Sequence, residues 1–108
     1  MEPRQPNIVS QATPSWERDF DALPGGTLIR DGLNDLRNDV ASVERLLILI
    51  GAPRLRRLGF DIPHYTGDPE RELYDLLART DARAAHARYN AFIRTLVSFE
   101  RAAACVRP

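Results

Sequence analysis

Two histidines, His64 and His86, and one cysteine, Cys105, are the only imidazole and thiol groups in this 108-residue chain. Structural zinc takes four nitrogen or sulfur ligands. These three lie far apart, with no pair at i, i+3 or i, i+4, so no metal site and no cofactor are expected. The chain has no nucleophile-elbow pattern, no phosphate-binding glycine loop and no helical H-E-x-x-H pair. No catalytic residue is therefore expected. Gly25-Gly26 precedes a predicted helix, where free N–H groups can hold an anion. The same two residues serve equally to turn the chain and start the helix. Cys105 has no histidine or second thiol near it in sequence and reads as a small apolar residue, consistent with a reducing compartment.

Arg79 and His86 have six residues between them, and so do Arg57 and His64. This spacing is similar to that of helical ribonucleases of the HEPN class, where an arginine and a histidine act on the scissile phosphate. The likeness covers a motif alone, and 15 arginines in 108 residues produce such spacings readily. Asp31, Asp35 and Asp39 stand at i, i+4 and i+8, a stripe able to meet a cation or an arginine-rich partner. Like charges at that spacing repel by a few tenths of a kcal/mol, so arginines such as Arg88 or Arg94 are expected to offset them. Arg54, Arg56 and Arg57 form the one dense basic patch. Arg56-Arg57-Leu58-Gly59-Phe60 also has the form of an R-x-L-x-F docking motif, although Leu58 and Phe60 suit a small core equally well.

Basic and acidic residues number 15 each, so the net charge is zero. A dedicated nucleic-acid binder carries excess positive charge, and that role is disfavoured. All the basic residues are arginine, with no lysine. A GC-rich genome, which also favours alanine, accounts for this. Avoidance of lysine modification in a protein delivered into a eukaryotic cell is the sharper alternative. The longest apolar run, Leu46 to Ile50, is five residues, against about 20 for a membrane span. The first 30 residues lack the pattern of a Sec signal. A cytoplasmic protein without membrane contact is expected, or one secreted into a host cell by a non-Sec route.

The elements that must position these residues are all helical in period. Residues 1–13, with Pro3 and Pro6, read as a flexible arm ahead of a single domain over 14–108. Trp16, Phe20 and Leu23 share a face of a short helix ended by Pro24-Gly25, the order of a type II turn. Ile29, Leu33, Leu36, Val40, Val43, Leu47 and Ile50 recur at 4-3-4-3-4-3, predicting one helix over 27–50. A short turn is expected over 53–58, then an irregular stretch to Gly67. Asp68-Pro69 begins a helix running to about Arg79 on Leu73, Leu76 and Leu77. The phase breaks near Thr80-Asp81. Ala85, Tyr89, Phe92, Leu96, Phe99, Ala103 and Val106 then repeat the 4-3-4-3-4-3 seam. No segment alternates with period two, so no sheet is expected.

Together these predict an all-α fold: a small bundle of two long, antiparallel, heptad-patterned helices with two or three short ones. Its expected role is a non-enzymatic protein–protein interaction module, a regulatory, adaptor or assembly subunit of a bacterial or phage system. The alternatives are a translocated effector and a nucleic-acid-associated or HEPN-like protein. The expected partner is a protein or a second copy in a homodimer. Contact is assigned to Leu46, Ile48 and Leu49, which the long seam leaves unused, and to the stripe Asp31, Asp35 and Asp39.

Overall fold

The computed structural model describes residues 20–106. The expected arm over 1–13 and the Trp16 end of the first short helix lie outside the described residues. The described chain is mostly helical and contains no strand. A 3₁₀ turn at Phe20–Ala22 leads into five helices: α1 (Gly26–Arg37), α2 (Val43–Ile50), α3 (Ala52–Arg57), α4 (Pro69–Thr80) and α5 (Ala85–Val106). No helix among the described residues is long and apolar enough to cross a membrane.

The turn before α1 forms as its residues dictate. Pro24 sets the first central position, Gly25 takes φ 75° and ψ 3°, and the Gly26 N–H donates to the Leu23 carbonyl at 2.8 Å. That is a type II turn, in which a left-handed second position favours glycine. It packs on α5, since a Cβ on Gly25 would lie 2.9 Å from Thr95 Cγ2.

The single helix expected over 27–50 is two helices, α1 and α2, folded back against each other. Asp39 adopts φ 56°. The Val40 N–H donates to the Asp35 carbonyl and the Asp39 N–H to that of Leu36, a Schellman closure of α1. Ser42 then caps α2, its Oγ accepting from the Arg45 N–H at 3.0 Å while its hydroxyl donates to Asp35 Oδ2 at 2.7 Å. One carboxylate thus ties the end of α1 to the start of α2. The hairpin leaves Val40 46% exposed although it keeps heptad phase with its neighbours. The pair of long antiparallel helices is accordingly not formed; the only long helix among the described residues is α5, of 22 residues.

The close approach of α1 to α2 is made at Gly32. A Cβ there would sit 2.5 Å from the Glu44 carbonyl oxygen and 2.6 Å from Ile48 Cγ1. The short α2 is central, packing against α1, α3, α4 and α5. Leu47, Ile48 and Leu49 are buried around its circumference, as an all-apolar turn requires. The remaining core comes from Ile29 and Leu33 of α1, Leu55 of α3, Leu73 and Leu77 of α4, and Leu96, Phe99 and Ala103 of α5. Phe60 and Ile62 enter it from the segment between α3 and α4.

The later elements follow the sequence closely. Leu55 and Leu58 turn inward from α3 and its end, whereas Arg54, Arg56 and Arg57 stay outside. Asp68 caps α4 by accepting from the Arg71 N–H, with Pro69 in the first turn. Thr80 is its last helical residue, and Asp81 accepts from the N–H groups of Arg83 and Ala84 ahead of α5. The α5 seam is buried or half-buried from Ala85 to Ala103, whereas Val106 is 55% exposed.

Candidate functional site

An open cleft of about 370 Å³ lies between α2 and α4. It falls at the small end of ligand-sized clefts, roughly 300–1,000 Å³. Its apolar lining is Leu46 and Leu49 from α2 and Leu76 from α4. Charged groups join them from both helices: Arg45 on α2, and Glu72, Asp75 and Arg79 on α4. Ala41, Ser42 and Tyr65 complete the wall. The α4 contribution follows helical spacing, because Glu72, Leu76 and Arg79 stand four and three apart on one face.

The charged groups differ in what they already bind. Both Glu72 oxygens are engaged: Oε1 accepts from the Tyr65 hydroxyl at 2.6 Å and Oε2 from the Asp68 N–H at 3.1 Å. That hydrogen bond to a carboxylate is the main reason the Tyr65 phenol titrates above its ordinary value. Asp75 lies 3.8 Å from Arg71. Arg45 reaches Asp39 through Nη1 at 3.5 Å, but its Nε is buried without an acceptor among the described residues. The Arg79 side chain makes no hydrogen bond or ion pair with the described residues.

Leu46 and Leu49, two of the three apolar residues assigned to contact, line this cleft. Ile48 does not, and the expectation for it is corrected: it is 0% exposed and packs toward Gly32 of α1. An apolar turn surrounded by four other helices uses Ile48 inside the domain. The acidic stripe is also dispersed. Asp31 and Asp35 remain on α1, but Asp39 belongs to the turn that follows it. Asp31 lies 3.7 Å from Arg30, Asp35 accepts from Ser42, and Asp39 faces Arg45. Asp31 and Asp39 thus meet arginines of the hairpin itself and Asp35 a hydroxyl, in place of the expected Arg88 or Arg94.

The basic patch is largely internal equipment. Arg56 donates from Nε to the Ile62 carbonyl at 2.8 Å and from Nη2 to that of Pro63 at 2.9 Å, pinning the segment after α3. Arg54 lies 3.8 Å from Glu100. Leu58 and Phe60 of the R-x-L-x-F pattern are buried, and the Phe60 ring meets that of Phe99 at 6.2 Å. His86 is exposed, within 3.2 Å of the Asn90 amide and edge-on to Tyr74, while His64 is exposed before α4. No group of three or more metal-ligating residues occurs among the described residues.

Sequence reasoning missed Arg45, Glu72 and Asp75 as site residues and took Leu76 only as core. The signal was the alternation of charge around Leu76 on one face of α4. It also missed Glu100, the one buried charged side chain among the described residues, 6% exposed on α5. Its Oε2 has no hydrogen-bond partner and lies beside the backbone of Gly51. Burial raises the Glu100 pKa, and the Arg54 charge offsets part of that rise. Compared with protein-family models, curated proteins and solved structures, the chain matches none.

Proposed function

We propose that this chain is a non-enzymatic protein–protein interaction module and that the cleft between α2 and α4 is its contact surface. The observation that carries this reading is the cleft's composition: three leucines lining an open depression, ringed by charged side chains. Interfaces are built this way, with an apolar centre that excludes water and a polar rim that fixes orientation. Leucines on two different helices give the surface a rigid base, because both helices are anchored in one core. The partner supplies an apolar side chain for the centre and polar groups for the rim.

The test is absolute mass by light scattering from micromolar to millimolar protein, combined with photo-crosslinking from position 76 in cells that naturally express the chain. Association through the cleft gives either a concentration-dependent mass or a crosslinked adduct. Leu76→Asp abolishes the concentration-dependent mass and Leu46→Asp the adduct from position 76, while a crosslinker at exposed Ala91 on α5 yields no protein adduct. A protein that stays monomeric and crosslinks to nothing from position 76 is not a module of this kind.

A further inference from the structure

We propose that the outer face of α5 is a docking surface for double-helical nucleic acid, held through its phosphates and not through its base sequence. The surface is independent of the α2–α4 cleft, which no residue of α5 lines. The zero net charge of the chain conceals how its charges are placed. Residues 20–81 carry eight arginines against eleven acids, whereas residues 82–106 carry four arginines against Glu100 alone. Glu100 is buried beside Gly51, so the exposed surface over 82–106 holds no acid. Seven of the eight earlier arginines already have an interaction within the chain, Arg79 being the exception. Arg83, Arg88, Arg94 and Arg101 have no side-chain hydrogen bond or ion pair among the described residues.

The neighbours of these arginines decide what kind of anion fits. Ala87, Ala91, Arg94, Ser98, Arg101 and Cys105 recur at 4-3-4-3-4 and are all exposed, on the side opposite the buried seam. Arg94 and Arg101, seven residues apart, share a face and stand about 10.5 Å apart along the axis. Exposed Arg83 carries the positive charge past the start of the helix. The remaining side chains of the stripe are small, and α5 exposes no large apolar residue before Val106. A protein partner would find no apolar centre to bury there. A bilayer would receive no apolar side chains, because those of α5 are turned into the core. A phosphate backbone needs neither. Arginine offers it a charged fork, and small neighbours let it come close. The stripe also lacks an aromatic ring, the platform on which unpaired bases stack, and this favours a duplex over a single strand. The acids of α4 act on Tyr89, which is half-buried and turned about 140° round the helix from Arg94.

The experiment follows binding of the full chain to a fluorescently labelled DNA duplex of about 20 base pairs by anisotropy, over a range of salt. Phosphate contacts from Arg83, Arg94 and Arg101 predict a slope of log K against log salt of about −2.7, or about 40-fold weaker binding at 200 than at 50 mM. Arg94→Gln flattens the slope by about 0.9, and Arg94→Gln with Arg101→Gln by about 1.8. Both side chains are exposed and unpartnered, and circular dichroism checks that each variant keeps its helices. The charge-matched pair Arg30→Gln with Arg71→Gln, on α1 and α4, leaves the slope unchanged. A duplex of scrambled sequence binds equally. Equal flattening by the two arginine pairs overturns the placement on α5. Poly-glutamate that displaces the duplex at equal charge concentration makes the partner an acidic protein and overturns the proposal, as does a single strand that binds more tightly than the duplex. No binding up to millimolar protein at low salt overturns it outright.

Discussion

Glu100 is buried in spite of its charge. It stands four positions after Leu96 on α5, against Gly51, with one oxygen unpartnered. Burial favours its neutral form and raises its folded-state pKa above the ordinary value near 4.5. Its favourable contribution is therefore complete below the unfolded value and is lost as pH rises through the folded one. Glu100→Gln removes that loss. The variant should melt with the wild type at pH 4 and above it at pH 7, which thermal melts at the two values will check. An equal gap at both pH values would point to packing. Arg56 makes the opposite case, an exposed charge with a structural task. Arg56→Ala should cost about 1–2 kcal/mol through its two lost carbonyl bonds, and amide exchange at Asp61 and Ile62 should quicken. No sequence signal marks either role, because each depends on a backbone group brought close only by folding.

At the scale of elements, helices were legible wherever caps and hydrophobic period agreed. Asp68-Pro69, the Pro24-Gly25 turn and the phase break at Asp81 each announced themselves locally. The hairpin between α1 and α2 did not, because the heptad phase runs on through Val40 as if the helix continued. Its markers were Asn38 and Asp39, residues that tolerate the left-handed region, followed by Ser42 as a cap. Read only for polarity, they pass for the outer face of one helix. Gly32 is the other consequence of this hairpin. In an isolated helix Gly32→Ala would gain about 1 kcal/mol of propensity. Here the new methyl meets a backbone carbonyl that cannot rotate away, and overpacking costs about 1–3 kcal/mol. A net fall in denaturation midpoint is expected. Ser42→Ala should likewise destabilise by about 0.5–2 kcal/mol, measurable in the same urea titration.

For the whole molecule, placing α2 at the centre puts fully buried Leu47 and cleft-lining Leu46 side by side on a single helix. Leu47→Ala should destabilise by about 2–5 kcal/mol, a large share of the roughly 5–15 kcal/mol typical of a domain. Leu46→Ala, one position earlier and half-buried at the cleft, should cost less than half as much and act on binding instead. Paired urea titrations will show whether the two differ in this way. The apolar turn Leu46 to Ile50 was conspicuous in the sequence, and two of its residues do line the cleft. Which of them faced out was not legible, since a run apolar on all sides has no phase. The charges of α4 complete the cleft only because α2 and α4 pack side by side, a fact of tertiary arrangement that no local pattern contains.

The stretch joining α3 to α4 has a practical consequence of its own. His64, Tyr65, Thr66 and Gly67 are all exposed, and the cleft draws one wall from each side of them. Cutting the chain there would yield two fragments, neither holding the complete cleft, that share one core of buried leucines. Two such fragments are expected to be unfolded apart and to recover helical circular dichroism when mixed, the signal that the halves have met.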